Sequence, residues 1–352
     1  MTTFMTTFNS NVRPLFSTVL MVVLGFTSLG DLKASEAQNL TNPLMALPEL
    51  PRAKPKIIAA PTALKEFAPG VLVSIGQAVA LTGAVIIDQG PVDGLEALAC
   101  LTTGKTHESL VRLDAANGQL VKAAFIAALG MTDGMSAPEA TGHPGRGLPL
   151  RVMVEWESPD APGTWRTIDA SSLIRDRATD EGYPALPFIY TGSRFMMVDE
   201  TAPDGRVQRK ERFMLDNTKS VVGIVDEPDA LLASPSPGAA VDKHFEAFSA
   251  ICPPAGSKVR LVFTKVTLPL MLKMNASAEL FMNDQTVSDS ALEALLTKYY
   301  GQGAEPELRA VTVLVDRSTS RDQDIIVRAR ILAAAAKAKA WVVPVFQLLS
   351  TP

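Results

Sequence analysis

Hydrophobic and polar positions divide the chain into an apolar N-terminal stretch, a proline-rich segment and two folded regions of different texture. Between residues 71 and 263, short apolar or alternating runs dominate, among them VLVSIG, AVALTGAVII, LRVMVEWE and SVVGIVD. Runs of this length, bounded by turn residues, predict β-strands. The pattern therefore predicts an α+β fold that is mostly antiparallel over residues 71–263.

One main helix interrupts these strands, over the stretch NGQLVKAAFIAALG. Asn117 suits the N-cap position, and Gly130 suits the end of the helix. Val121, Phe125 and Leu129 fall at helical spacing, so they predict one buried face. The following TDGMSAPEATGHPGRGLP, rich in glycine and proline, predicts a loop.

From residue 264 the pattern changes to that of a small ββαβαβ two-layer domain, residues 264–352. LPLMLKM and ELFMND predict a hairpin, and SALEALLTKYYG predicts a helix that begins with a capping box of Ser290 and Glu293. AVTVLVD, RDQDIIVRARILAAAAKAKA and WVVPVF then predict a strand, a long helix and a strand joined by a crossover. Pro344 places the last strand at a sheet edge or a bulge.

The N-terminal stretch has the order of a secretory signal peptide. Arg13 precedes seventeen uncharged residues, Pro14–Gly30, and DLKASEA follows. A positive residue, an apolar core and small residues at Ser35 and Ala37 predict cleavage after residue 37, with Ala34 as an alternative end. The alternative is an uncleaved membrane anchor. Residues 38–70, with six prolines, predict a linker.

We therefore expect an exported protein of the bacterial periplasm or cell envelope. Its contact with the membrane is then transient, through the signal peptide alone, unless that segment stays as an N-terminal anchor. A length of 352 residues suits two domains. The net charge is −4, and 33 Lys and Arg are scattered without blocks, which argues against a nucleic-acid-binding surface.

The cysteine and histidine content predicts neither a metal site nor a cofactor. Cys100 and Cys252 are 152 residues apart, and the three histidines are dispersed. Export would permit a disulfide between the two cysteines. Two buried free thiols are the alternative, because cysteine packs as a small hydrophobe.

The stretch GKTHESLV concentrates the candidate chemistry. If HESLVRL is a strand, His107 and Ser109 share one face while Glu108 lies on the other. Pairing with LEALACL in a hairpin that places Glu96 opposite Arg112 gives a favourable charge pair. Glu108 then cannot orient His107 as a triad acid does. His107 and Ser109 remain a candidate catalytic dyad, and a structural role for both is the favoured interpretation.

Three further residues are weighed as candidates. His143 lies in the glycine-rich loop and is interpreted as a surface residue. His244, beside Phe245 in a short helical pattern, is interpreted as a half-buried structural histidine. Asp316 ends AVTVLVD, where open α/β sheets bind ligands, although it also suits a turn cap, which we favour. The candidate binding residues are therefore His107, Glu108 and Asp316.

Several of these motifs resemble the YdjY-like family of bacterial envelope proteins. The run GPVDGLEALACLTTGKTHESLVRLDAANGQLVKAAFIAALG is similar to that family's G-P-x-E strand, K-x-H-E-S turn and following helix. LRVMVEWE, FIYTGSRF and VVGIVDEPDALLASP resemble its later segments. The resemblance covers most of residues 71–263, with Lys122 in place of the family's usual helical histidine. It implies an envelope address and no defined activity.

Residues 268–349 resemble the periplasmic domain of the ExbD/TolR biopolymer-transport family. LPLMLKMNASAELFMNDQTVSDSALEALL is similar to its hairpin and first helix, and VTVLVDRSTSRDQDIIVRA to the strand and helix that follow. That family's motor function needs a transmembrane helix with a buried acid directly before the domain, and this chain has none there. What the resemblance implies is self-association or envelope contact.

Together these features predict a non-enzymatic binding module. Its expected partners are envelope proteins or cell-wall material, with a homodimer through the C-terminal domain. The alternative is an envelope hydrolase or redox protein that uses His107 with Ser109 or Cys100. Ligand identity and oligomeric state are left open.

Overall fold

The computed structural model describes residues 54–90, 94–132, 145–177, 185–201, 204–236, 239, 244–301 and 308–349. All of them belong to one compact unit, Asn42–Pro352. The predicted signal peptide, residues 38–53 of the predicted linker and residues 133–144 of the loop that holds His143 lie outside the described residues. Residues 54–70, predicted as linker, include two short strands, Lys56–Ile58 and Lys65–Ala68, so this part of the linker prediction was wrong.

Short strands dominate the first two thirds of the chain, as predicted. The first ten are β1 (Lys56–Ile58), β2 (Lys65–Ala68), β3 (Val71–Ser74), β4 (Ala78–Val85), β5 (Ala97–Cys100), β6 (Ser109–Leu113), β7 (Leu148–Glu157), β8 (Trp165–Asp169), β9 (Ile174–Asp176) and β10 (Phe188–Tyr190). The next six are β11 (Phe195–Thr201), β12 (Val207–Phe213), β13 (Ser220–Gly223), β14 (Leu232–Ala233), β15 (Phe245–Ala247) and β16 (Lys258–Lys265).

Within the described residues, the C-terminal part of the chain contains the remaining five strands and two helices. Its strands are β17 (Met271–Met274), β18 (Leu280–Met282), β19 (Gln285–Thr286), β20 (Ala310–Val315) and β21 (Val343–Leu348). The helices of the whole described chain are α1 (Gly118–Leu129), α2 (Met214–Thr218), α3 (Asp289–Tyr300) and α4 (Arg321–Lys337), besides a 3-10 turn at Ala170–Leu173.

Eight of these strands close into a barrel. Around the barrel the order is β4, β6, β5, β13, β14, β10, β7 and β16, and β16 pairs with both β7 and β4 to complete the circle. Six of the eight pairings are antiparallel, and β5–β6 and β13–β14 are parallel. The predicted α+β class therefore holds in outline. Closure, however, was not predicted, because it depends on pairings between strands far apart in sequence.

Helix α1 packs against this barrel with its predicted face. Asn117 caps it through a hydrogen bond from the Leu120 N–H, and Gly130 ends it in the left-handed conformation, both as predicted. The Phe125 ring lies 5.7 Å from that of Tyr190 on β10 and 5.0 Å from that of Phe263 on β16, measured between centroids. All three rings are buried, so the helix is anchored by an aromatic contact with two barrel strands.

The C-terminal strands form a separate five-stranded sheet in the order β19, β18, β17, β20 and β21. The predicted hairpin of β17 with β18 and the parallel crossover from β20 through α4 to β21 are both present. Pro344 lies on β21, the edge strand of this sheet, as predicted. The predicted capping box at α3 was wrong, because Ser288 is the N-cap and receives the Ala291 N–H.

The five-stranded sheet contacts the barrel segment directly. The Gly147 N–H donates to the Phe346 carbonyl at 2.8 Å, and the Arg309 N–H donates to the Ala185 carbonyl at 3.0 Å. Trp341 and several residues of β20 and β21 belong to the same hydrophobic core as the barrel strands. No helix in the described ranges is both long enough and apolar enough to span a membrane.

Candidate functional site

The turn between β5 and β6 carries the candidate residues of GKTHESLV. The strand begins at Ser109, two residues later than predicted, so His107 and Glu108 lie in the turn. The prediction that the pleat separates their side chains was therefore wrong. His107 Nε2 lies 3.5 Å from Glu108 Oε1, and the His107 side chain is 75% exposed. The Glu108 side chain is only 19% exposed, so water reaches the imidazole while the carboxylate is largely covered.

The predicted hairpin of LEALACL with HESLVRL was also wrong. Strands β5 and β6 run parallel, and Arg112 faces Cys100 instead of Glu96. A four-residue strand is only about 13 Å long, so the eight residues 101–108 suffice to return the chain to its start. Thr102 holds this return, since its Oγ1 donates to the Leu113 carbonyl at 2.8 Å.

Ser109 has a structural role in this turn. Its side chain is fully buried, and its Oγ donates to the Lys105 carbonyl at 2.7 Å. A nucleophilic serine needs a base to receive its proton and an approach for the substrate. The Ser109 hydroxyl instead donates its proton to a backbone carbonyl inside the turn. Ser109 and His107 therefore do not form a catalytic dyad.

The cysteines are free thiols, and both are shielded. Burial raises the pKa of Cys100, which a hydrogen bond with Ser109 only partly opposes. A Cβ placed on Gly104 would lie 2.6 Å from the Cys100 Cβ, so the turn closes tightly over this residue. Burial also raises the pKa of Cys252, to about 12. Neither thiol has the lowered pKa of a reactive cysteine.

What the turn does assemble is a group of charges around Lys105. Lys105 Nζ lies 2.6 Å from Glu96 Oε2 and 4.0 Å from Glu227 Oε1. Glu108 also belongs to this group, because it interacts with both Glu96 and Lys105. We call these four residues the Lys105 cluster. Three carboxylates and one ammonium give it a formal charge of −2.

Burial and neighbouring charges shift the pKa values of the acids in the Lys105 cluster. Burial raises the pKa of Glu108, and the charge of Glu96 raises it further. Burial likewise raises the pKa of Glu227, against the opposing effects of Ser220 and Lys105. Burial lowers the Lys105 pKa, but its hydrogen bond with Glu96 and the nearby acids outweigh this and raise it overall. The cluster therefore holds protons more tightly than isolated carboxylates do.

Sequence reasoning did not identify Glu96 and Glu227 as members of a site. Glu96 is the second residue of the LEALACL segment, and Glu227 lies in the DEPDALLASP segment after β13. The backbone brings them together, because the Ile224 N–H donates to the Glu96 carbonyl at 2.8 Å. The available signal was indirect, since both segments lie within the stretches from which the sequence predicts a YdjY-like region.

Asp316 and His244 lie in other settings. Asp316 caps its own turn, because its Oδ1 accepts hydrogen bonds from the Ser318 hydroxyl at 2.6 Å and the Ser318 N–H at 2.8 Å, and these two bonds lower its pKa. The preference for a cap is confirmed. His244 Nε2 lies 2.8 Å from Asp176 Oδ2 in a mostly buried pair. Its predicted helical setting was wrong, because strand β15 follows directly at Phe245.

Comparison of the chain with protein families, with curated proteins and with solved structures finds no match in any of the three. Within the described ranges, no group of three or more His, Cys, Asp or Glu side chains is placed to hold a metal ion. The Lys105 cluster offers partly exposed hydrogen-bonding groups of both signs, and its neighbouring hydroxyl and thiol are buried.

Proposed function

We propose that this protein is an exported component of the bacterial cell envelope that acts by binding and performs no covalent chemistry. The pattern of residues 1–37 supports export. The resemblances support a YdjY-like region over residues 71–263 and an ExbD/TolR-like region over residues 264–352. In this proposal the C-terminal region contributes self-association or contact with envelope partners.

The observation that carries the binding role is the contrast within one turn. Lys105 and His107 are presented to solvent, while Ser109 and Cys100 beside them are buried. Catalysis by acyl or redox transfer needs the buried groups, whereas recognition needs the exposed ones. The geometry therefore favours recognition over the alternative of a hydrolase or redox protein.

The charge of the turn suggests the chemistry of its partner. The Lys105 cluster has a formal excess of two carboxylates, so it suits ammonium or amide groups that donate hydrogen bonds. A single lysine gives it one site for an acceptor as well. Envelope proteins and cell-wall material both offer such groups, which agrees with the expected partners.

Export is tested by fractionation of cells that produce the protein with a C-terminal tag. The proposal expects the tagged protein in the envelope or periplasmic fraction, and its mass should show loss of residues 1–37. A protein found wholly in the cytoplasmic fraction with an intact N-terminus would contradict export.

Binding is tested by retention of solubilised envelope material on the immobilised protein. Replacing His107→Ala together with Glu108→Gln should reduce retention about tenfold, because each change removes a hydrogen-bonding or charged group from the exposed turn. Asp284→Asn is the matched control, since Asp284 is exposed on the C-terminal sheet. Equal retention by both variants would refute a binding role for the turn.

A further inference from the structure

Strands β11 and β12 form a ribbon that pairs with no other strand among the described residues. Seven consecutive pairs join them, from Phe195 with Phe213 to Thr201 with Val207. No backbone hydrogen bond in the described ranges connects β11 to anything except β12. A two-stranded ribbon is only marginally stable in water by itself, so this one gains from a further strand.

The base of the ribbon is fixed to the barrel region. Arg194 Nε lies 2.7 Å from Asp229 Oδ1 just before β11 begins. Lys122 of α1 places its Nζ 5.5 Å from the Phe195 ring centroid and 5.2 Å from that of Phe213. These contacts fix the orientation of the ribbon relative to the barrel. Association through the ribbon therefore costs the chain little conformational entropy.

The exposed apolar side chains of the ribbon lie on both of its faces. Phe195, Met196 and Met197 are consecutive, and their exposed fractions are 50%, 38% and 48%. Consecutive side chains of a strand point to opposite faces. A partner that covered one face of the ribbon would leave the apolar side chains of the other face exposed to water. A strand added at the edge would instead place its own side chains beside those of both faces.

Charges distinguish the two edges of the ribbon. On β12, Arg209, Lys210 and Arg212 crowd the central positions, and a two-fold pairing centred on Lys210 would oppose two lysines. Like charges directly opposite each other destabilise a sheet, and lysines on an edge strand discourage pairing. On β11 the positions from Phe195 to Val198 carry no charge. The β11 edge is therefore the open one.

We propose that a second copy of this chain adds to the outer edge of β11 and forms a four-stranded antiparallel sheet. A two-fold axis through Met197 opposes Met197 to its own copy, and Met196 to Val198 of the second copy. It also opposes Phe195 to Asp199 of the second copy, so no like charges meet. This inference goes beyond the proposed function, because it places self-association on a surface outside both the Lys105 cluster and the C-terminal region.

The interface is small, because this register pairs only the five residues Phe195–Asp199 of each copy. Interfaces of this size give weak association, so the expected dissociation constant lies in the micromolar range. The ribbon has acidic residues on β11 and basic residues on β12, with no large excess of either. That balance favours a second copy over a strongly acidic or basic partner.

Sedimentation equilibrium of the purified protein tests this inference. The wild type should associate reversibly, and Met197→Lys should weaken association at least about tenfold because two lysines would then face each other. Within its own ribbon, position 197 faces Glu211, so the variant keeps its local pairing. Val207→Lys is the control on β12, and its association should match that of the wild type.

A cross-link tests the position of the two-fold axis. Met197→Cys should form a disulfide-linked dimer on mild oxidation, since the axis brings the two Cα atoms within reach of a disulfide, and Val207→Cys should not. A wild type that stays monomeric at hundreds of micromolar, or a Met197→Lys protein that associates unchanged, would overturn the inference. A monomer that still retains envelope material through the Lys105 cluster would overturn this inference and leave the proposed function standing.

Discussion

Arg146 and Asp324 form a buried, bidentate ion pair between the barrel segment and helix α4. Arg146 Nε lies 2.7 Å from Asp324 Oδ2, and Arg146 Nη2 lies 2.9 Å from Asp324 Oδ1. The same Nη2 donates to the carbonyl of Thr319 at 2.9 Å. Both charged side chains are almost fully buried, so each depends on the other for compensation.

We predict that Arg146→Met lowers the free energy of unfolding by about 3–5 kcal/mol, because it leaves the Asp324 carboxylate buried without its main partner. Urea denaturation measures the change. Lys273→Met is the control, since Lys273 pairs with Asp284 in an exposed ion pair at 3.1 Å, and it should cost less than about 1 kcal/mol. If the two variants lost similar amounts of unfolding free energy, burial would not be the reason that the Arg146–Asp324 pair stabilises the fold.

The aromatic contact of α1 gives a second prediction. Phe125→Ala should cost about 3–5 kcal/mol of stability, because it leaves a cavity between Tyr190 and Phe263. Thermal or urea unfolding monitored by circular dichroism measures it. Ile126→Ala, next to it on the exposed side of the helix, should cost less than about 1 kcal/mol. A loss at position 125 no larger than that at 126 would contradict the packing.

The two thiols should be inert in the folded protein. Cys252, with its pKa raised to about 12, holds about a thousandfold less thiolate at pH 8 than it would at its usual pKa. Cys100 is fully buried, and its pKa is also raised. Ellman's reagent should therefore react slowly with the native protein and rapidly with both thiols in urea. A fast native reaction would revive the redox alternative.

Asp169 predicts a measurable dependence of stability on pH. Burial raises its pKa from 3.8 to about 6, against the opposing effects of Ser171 and Arg151. Between these two pH values the unfolded chain has lost this proton and the folded chain keeps it, so stability falls as pH rises. Below the window the group contributes nothing, and above pH 6 the loss is complete.

The Asp169→Asn variant isolates this contribution. Relative to the variant, the wild type should lose stability on the order of 2–3 kcal/mol between pH 4 and pH 7. Urea unfolding of both proteins across this range measures the difference, in which the other titrating groups cancel. A difference that stays constant, or a wild type that gains stability on the alkaline side, would contradict the raised pKa.

The sequence predicted those features that depend only on residues close together along the chain. Asn117 and Gly130 set the ends of α1, because capping involves groups within one turn. The crossover through α4 followed from strand–helix–strand order, and Pro344 placed β21 at an edge. Even here, Ser288 rather than Ser290 caps α3, since either serine suits the pattern.

Properties that depend on distant pairing were not predictable in this way. Closure of the barrel needs β16 to pair with two strands at once, and alternation of side chains says nothing about which strands meet. Glu96 and Glu227 are 131 residues apart, and their approach follows from the pairing of β5 with β13. The parallel β5–β6 pair was missed because a short connection ordinarily indicates a hairpin.

Photo-cross-linking at His107 tests whether the exposed turn of this protein makes contact with envelope partners in the cell. A photoreactive benzoylphenylalanine replaces His107 in living cells, and the same residue at Asp284, which is 87% exposed, is the control. We predict light-dependent adducts in the envelope fraction from position 107 and few or none from position 284. An absence of adducts at position 107, or a protein confined to the cytoplasm, would contradict the account.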